Sequence, residues 1–326
     1  MATNKPKVML PHTMGKQGVE LVKARDDIET VIYPTGISQA DFLPLLADCA
    51  GIALSLTPYR QTEMDASPVM QVVARIGVGY DAVEVPALTA RGVPLMIAGT
   101  ANSTSVAEQA FNLMIALAKK NAAMDGLVKD GRWSDRQGGL PMELAGKTVL
   151  IVGFGRIGTR SARRCAAFDM NVLLYDPYVD AATIAAAGYE PVTNLDAALP
   201  RADFVSIHCP KNPETIGLFN ATRLAAMKKG AFIVNTARGG IIDEPALYAA
   251  LKSGHIAGAG LDVFLEEPTP VSNDLLKLDN VIASPHIAGV TVEALAAMAL
   301  ATAENILSVL DGRTNRDNVV NKEVLG

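Results

Sequence analysis

The chain has 326 residues, of which 49% are hydrophobic and 19% charged, with 27 Gly and 18 Pro. At roughly 100–200 residues per domain this suggests two domains, and the profile excludes disorder, collagen-like repeats and low complexity. The net charge of −5, from 34 acidic and 29 basic residues, comes without a Lys/Arg-rich stripe, which argues against a nucleic-acid partner.

Short β-rich runs alternate with helical stretches, the pattern of βα units around parallel sheets. In the first hundred residues strands are expected at Lys7–Leu10, Glu29–Tyr33, Gly51–Leu54, Val72–Ile76 and Pro94–Ile97, separated by helical segments such as Gly18–Lys23 and Gln39–Leu46. A long helix is expected from Ser105, with Ser105 and Glu108 as a capping box. Its apolar stripe is Val106, Ala110, Leu113 and Leu117, and Lys119 and Lys120 sit at its negative pole. The polar stretch from Lys129 to Gly139 holds the only Trp, Trp133. It reads either as an arm reaching a partner subunit or as a surface loop with a packed Trp.

A second βα series follows, with strands at Thr148–Val152, Asn171–Tyr175, Phe204–Ile207, Ala231–Asn235, Ala257–Leu261 and Val281–Ala283, then a helix from Val292 to Leu310. The final segment is too short for a third domain and is expected to complete the first. The two long helices would then bridge the domains. The fold expected is α/β with two doubly wound parallel-sheet domains. A Rossmann dinucleotide domain, 100–288, is inserted in a discontinuous flavodoxin-like substrate domain, 1–99 and 289–326.

The apolar run from Ala294 to Ala303, closed by Glu293 and Glu304, is shorter than the about 20 residues of a membrane span. The segment from Met1 to Lys7 lacks the apolar region of a secretory signal. Cys49, Cys165 and Cys209 are far apart and odd in number. They suit buried thiols in a reducing cytoplasm better than disulfides or a metal site.

The most informative segment is Lys147 to Gly158, an apolar strand running into Gly153-x-Gly155-x-x-Gly158. Gly153 allows the tight turn, Gly155 lets a pyrophosphate approach the backbone, and Gly158 permits close helix–strand packing. The diphosphate would sit on the helix N-terminus. Asp176 ends the next strand, where a carboxylate accepts ribose hydroxyls and repels a 2′-phosphate, favouring NAD over NADP. Arg156 either caps the pyrophosphate or is solvated.

Ligands of open parallel sheets bind beyond the carboxyl ends of the strands. Those ends carry Gly153, Asp176, His208, Thr236-Ala237-Arg238, Asp262 and His286. Alcohol oxidation by a nicotinamide needs a base, and the reverse reaction an acid. His serves both, and Arg holds a carboxylate with two parallel bonds. Of four histidines, His12 lies after the first strand and His255 reads as a cap on a helix end. His208 precedes Cys209-Pro210 and reads as lining the cofactor cleft. His286 reads either as the catalytic base or as a hinge His bonded to backbone.

These residues resemble those of the D-isomer-specific 2-hydroxyacid dehydrogenases. The resemblance rests on Gly77-Val-Gly-Tyr-Asp81, Asn102-Ser-Thr-Ser-Val-Ala-Glu108, the Gly153–Gly158 turn with Asp176, His208-Cys-Pro210, Asn235-Thr-Ala-Arg-Gly-Gly240, Leu261-Asp-Val-Phe264 with Glu267-Pro268, and Ser284-Pro-His-Ile-Ala-Gly289. It implies Arg238 as the substrate clamp, Glu267 as the acid paired with the catalytic histidine, and His286 as general acid/base. Val78, Gly79 and Asn102 are implied at the substrate. Val106, Arg156, Ile157, His208, Cys209, Pro210, Thr236, Ala237, Asp262 and Gly289 are implied around NAD, together with the three glycines and Asp176.

Glu267, where formate dehydrogenases have Gln, argues against that branch, and Val78, where the phosphite-oxidising branch has Lys, against the other. Arg60, in the loop Leu56 to Thr62, either reaches a distal phosphate or carboxylate or is solvated. The implied activity is hydride transfer between nicotinamide and C2 of a D-2-hydroxy or 2-oxo acid, of the phosphoglycerate or hydroxypyruvate/glyoxylate type, in a homodimer. The alternative is an NADH-sensing, corepressor-like binding protein.

Overall fold

The computed structural model describes residues 5–326. Met1–Asn4, part of the segment read for a secretory signal, lie outside the described residues. The chain forms two units: the described residues up to Asn102 together with Val290–Gly326, and Ser103–Gly289.

In the first unit the order is β1 (Lys7–Pro11), α1 (Lys16–Lys23), β2 (Glu29–Tyr33), α2 (Gln39–Leu46), β3 (Cys49–Leu54), α3 (Gln61–Asp65), β4 (Val72–Arg75), α4 (Val85–Ala90) and β5 (Leu95–Met96). The strands pair in parallel as β2-β1-β3-β4-β5. This is the flavodoxin-type order, which changes direction between β1 and β3. β3 is buried along its whole length, so it reads as a continuous apolar run rather than an alternating one.

The second unit contains α5 (Ser103–Lys119), α6 (Asn121–Lys129), β6 (Thr148–Val152), α7 (Gly158–Ala167), β7 (Asn171–Tyr175), α8 (Ala181–Ala186), β8 (Glu190–Val192), α9 (Leu195–Ala198), β9 (Phe204–Ile207), α10 (Ala221–Ala226), β10 (Ala231–Asn235), α11 (Glu244–Lys252), β11 (Ile256–Leu261) and β12 (Val281–Ala283). Its parallel sheet runs β12-β11-β10-β9-β6-β7-β8. That is the dinucleotide-fold order with one strand added, and its switch point lies between β6 and β9. Glycines in β11 let α5 approach: a Cβ on Gly260 would lie 2.8 Å from the Leu113 Cβ.

The chain returns to the first unit as α12 (Val292–Leu310). By length and composition α12 is apolar enough to cross a membrane. Its Ala299, Ala303 and Ile306 are buried with Val8, Val72 and Ala74 in the first unit's core. A Cβ on Gly18 of α1 would lie 2.3 Å from the Ala299 carbonyl oxygen, so the small residues of the alanine-rich run allow the two helices to touch.

Several expectations need correction. The helix expected from Ser105 begins at Ser103. Ser105 is buried inside it, and the Glu108 carboxylate pairs with Arg164 of α7 at 2.8 Å instead of capping its own helix. The stretch after Lys119 is a second helix, α6, broken from α5 by Lys120 in the left-handed region. No residue of α6 is buried, so its apolar residues Met124, Leu127 and Val128, spaced as one helical face, do not join the core. The stretch holding Trp133 contains a 3-10 turn, Trp133–Gln137. Its indole is exposed, with the Arg136 guanidinium 5.9 Å from the ring centre. β8 is a three-residue edge strand with Pro191 at its centre, a residue tolerated at an edge and easily read as a loop.

Candidate active site

The site builds from the carboxyl ends of the second unit's strands. β6 is a buried aliphatic strand, and Gly153 follows it at φ +103°. A Cβ there would lie 2.9 Å from the Cys209 nitrogen, and one on Gly158 would lie 1.9 Å from the Gly153 carbonyl oxygen. Both positions are closed to any side chain. Around Gly155, by contrast, nothing lies within 4 Å of an added Cβ. The turn is therefore packed on two sides and open at its middle glycine, at the start of α7, where helix amides lack partners within the helix. That open cradle fits a diphosphate. Ile157 is half-buried and Arg156 exposed.

Asp176 is held by two amides: Phe154 N–H donates to Oδ2 at 2.8 Å and Tyr178 N–H to Oδ1 at 2.9 Å. Its carboxylate is thereby fixed beside the glycine turn, with acceptor capacity left for two hydroxyl donors. At the end of β9, His208 Nε2 and Ser206 Oγ share a hydrogen bond of 2.9 Å. Its Nδ1 is buried without a partner, and burial pushes the imidazole down to about 4. His208 is neutral at pH 7. Burial pushes the Cys209 thiol up to about 11, and Pro210 is exposed.

The turn after β10 is braced from within. The buried Asn235 accepts the Ala237 N–H and donates to the Arg238 carbonyl, at 3.0 and 2.9 Å. Arg238 also donates Nη1 to the Ala237 carbonyl at 2.7 Å. Thr236 Oγ1 is buried without a partner. A Cβ on Gly239 would lie 1.7 Å from the Phe264 carbonyl oxygen. That glycine brings the Arg238 turn against the segment leading to Glu267.

Asp262, 1% exposed, ties the end of β11 to the last loop. It accepts from Ser284 Oγ, Ile287 N–H and Ala288 N–H, and its own carbonyl accepts the His286 N–H at 2.8 Å. His286 sits at φ +51°, an uncommon conformation for a side-chain-bearing residue, and these bonds on both sides of it fix the strain. Glu267 accepts the Phe264 N–H on Oε1 at 2.9 Å and meets His286 Nδ1 with Oε2 at 2.7 Å. With a carboxylate on Nδ1, that nitrogen carries the hydrogen, and Nε2 is left to exchange a proton. The His286 side chain is 47% exposed, so a substrate can reach it.

The structure thus gathers Arg238, Glu267, His286, the glycine turn, Asp176, His208, Cys209, Thr236, Ala237 and Asp262 on one rim. Gly289 ends the same unit and is half-buried. Val106 is on α5 with its side chain in the core. Val78, Gly79 and Asn102 belong to the first unit. Gly79 follows β4 and its carbonyl accepts from Arg75 Nε at 2.8 Å, and Asn102 Oδ1 is buried without a partner. Arg60, also in the first unit, donates its backbone N–H to Glu63 Oε2 at 2.8 Å. His255 Nε2, expected at a helix end as a cap, is buried without a partner. Its carbonyl accepts from Gly230 instead. The sequence reading gave no task to Asn235 or Ser284, whose side chains position others. Their only signal was adjacency to Arg238 and His286.

Comparison with known proteins bears on this rim. Residues 111–288 match the family model for the D-isomer specific 2-hydroxyacid dehydrogenase, NAD binding domain. The chain is 37% identical to a D-3-phosphoglycerate dehydrogenase of Archaeoglobus fulgidus, over 96% of this chain and 59% of that one. It spans about three-fifths of the length of that relative. It is also 37% identical to a glyoxylate reductase of Thermofilum pendens, over 98% of this chain and 96% of that one. A crystal structure of a D-lactate dehydrogenase of Aquifex aeolicus, complexed with NAD and lactic acid, superposes with a TM-score of 0.84 at 27% identity, covering 96% of this chain and 99% of that one. With more than half of the sequence matched by the family model and nearly full-length similarity to a reductase, the chain belongs to the D-isomer-specific 2-hydroxyacid dehydrogenase family.

Proposed function

We propose that the protein is an NAD-dependent dehydrogenase that interconverts a D-2-hydroxy acid and its 2-oxo acid. The acid would be of the phosphoglycerate or hydroxypyruvate/glyoxylate type. The observation that carries this reading is the Glu267–His286 pair, with an uncommitted Nε2, on the same rim as Arg238 and the open glycine turn. Gly153, Gly155, Ile157 and Gly158 would hold the dinucleotide's diphosphate and Asp176 its adenosine ribose. Thr236, Ala237, Asp262 and Gly289 would line the nicotinamide side. When bound, the nicotinamide supplies or accepts the hydride at C2.

The residues' own work is proton transfer and positioning. Arg238 binds the substrate carboxylate. His286 Nε2 donates a proton to the carbonyl oxygen in reduction and takes it back in oxidation. Glu267 holds Nδ1, so the ring keeps one orientation and one tautomer, and it stabilises the imidazolium. In this reading residues 100–288 form the NAD domain and residues 1–99 with 289–326 the substrate domain. The exposed Val128, Trp133 and Leu140 suit a homodimer contact, which sedimentation would test. The free thiols of Cys49, Cys165 and Cys209 suit the cytoplasm.

The test is NADH consumption at neutral pH with hydroxypyruvate, its 3-phosphate, glyoxylate and 2-oxoglutarate. Turnover with at least one is expected. Tight NADH binding with no turnover on any of them would replace the enzyme by an NADH-sensing binding protein.

A further inference from the structure

Tyr178 is unusual for a side chain left 76% exposed, because it makes two directed bonds to two different carboxylates. Its backbone N–H donates to Asp176 Oδ1 at 2.9 Å, and its hydroxyl donates to Glu214 Oε2. Glu214 is not a wandering surface acid. Its own N–H is held at 2.9 Å by Asn212 Oδ1, which also accepts the Thr215 N–H, and Thr215 Oγ1 donates to the Pro210 carbonyl at 2.6 Å. The Asn212-Pro-Glu-Thr215 turn therefore fixes the Glu214 backbone, and the Tyr178 hydroxyl holds its carboxylate.

The topology gives that bond its meaning. Tyr178 lies in the loop after β7, and Glu214 in the loop after β9. In the sheet β6 stands between those two strands. A bond joining the two loops thus passes across the carboxyl end of β6, over the Gly153–Gly158 turn at the switch point where a dinucleotide binds. The electrostatics agree with this convergence. The Tyr178 hydroxyl is pushed above the usual phenol range, first by its bond to Glu214, with Asp176 adding to it, and the charge of Asp176 also reaches the Cys209 thiol.

We propose that Glu214, held in place by Tyr178, is a second specificity carboxylate at the adenosine ribose, acting with Asp176 to exclude a 2′-phosphorylated dinucleotide. The inference rests on the NAD-site reading above. A 2′-phosphate on that ribose would be flanked by the loop after β7, which carries Asp176, and by the loop after β9, which carries Glu214. A carboxylate on that loop closes the second side. Tyr178 is the positioning residue, and Glu214 contributes by charge.

Calorimetric titration of the intact protein with NADH and with NADPH, at low and high salt, tests this. Glu214→Gln should improve NADPH binding relative to NADH by about 3- to 10-fold at low ionic strength, and the gain should shrink in about 0.5 M salt, where exposed charges are screened. Tyr178→Phe should give a smaller gain in the same direction, since the carboxylate remains but is no longer held. Asp176→Ala supplies the control. If it changes the NADH/NADPH ratio while Glu214→Gln leaves the ratio unchanged, or raises both affinities equally, the proposal is overturned and the NAD site stands. If the wild-type protein binds neither dinucleotide, the NAD-site reading fails and this proposal with it.

Discussion

The carboxyl rims of the two sheets are built from the same parts and put them to different use. In the first unit the polar side chains at the strand ends bond to backbone. Arg75 donates to the carbonyls of Leu54 and Gly79, and His12 Nδ1 accepts the Thr35 N–H at 2.8 Å. In the second unit one atom of a side chain is fixed by backbone and another faces a second functional group. Glu267 gives one oxygen to Phe264 N–H and the other to His286. Asp176 is held by two amides beside an open turn. A backbone-anchored polar residue at a strand end becomes chemically useful when its remaining atoms face a second functional group or an open turn.

The contrast is broken most directly at His286. His286→Asn should lower kcat by about 10³-fold, within the range for loss of a general acid/base, while the NADH dissociation constant measured by titration stays within about twofold. Near-normal turnover would mean that the uncommitted Nε2 has no chemical task.

The glycine turn offers a paired test. Gly158→Ala puts a methyl 1.9 Å from a carbonyl oxygen, and thermal unfolding should show a loss of at least about 2 kcal/mol through forced backbone shifts. Gly155→Ala meets nothing within 4 Å. Its melting temperature should match the wild type, while NADH affinity falls by about tenfold or more because the diphosphate needs that space. Equal NADH affinity would remove the diphosphate from this turn.

In the first unit, Asn305 is buried, donates to the Ile97 carbonyl at 2.8 Å and accepts from Asn318 Nδ2 at 2.9 Å. Asn305→Ala should cost about 1–3 kcal/mol in urea unfolding, because partners lose their bonds in a buried place. NADH affinity should not move, and a change in it would blur the division between the two rims.

A pH dependence is expected at His208. Burial lowers this imidazole from 6.5 to about 4, so between those values the unfolded chain binds the extra proton. Stability from this group is present above pH 6.5 and is lost as pH falls toward 4, by about 3 kcal/mol at most. His208→Gln should flatten the urea-midpoint change between pH 7 and pH 4.5 relative to the wild type. An identical slope would show that the ring is not buried in solution.

Much of this is legible in the sequence. Alternating apolar runs announced two parallel sheets, and the strands Thr148–Val152, Asn171–Tyr175, Phe204–Ile207, Ala231–Asn235 and Val281–Ala283 and the helix Val292–Leu310 coincide with those observed. Thr148–Val152, Phe204–Ile207 and Ala231–Asn235 are readable because burial on both faces writes itself as short apolar segments bounded by glycine and polar residues. β8, a three-residue edge with a proline at its centre, left no such trace. The residue types at the strand ends were likewise visible, because in a parallel sheet every such end falls on the same rim.

Sequence alone therefore determined the fold class, the dinucleotide turn and the identity of the polar residues at the rim, since each depends on local pattern and spacing. Tertiary structure decided which of them pair. Glu108 turns to Arg164 and Tyr178 reaches Glu214, pairings that no motif implies, whereas the Glu267–His286 pair was already implied by the family resemblance. Such bonds join elements far apart in the chain. They depend on sheet order and on close backbone approaches at Gly153, Gly158 and Gly239, quantities that no single stretch of sequence contains.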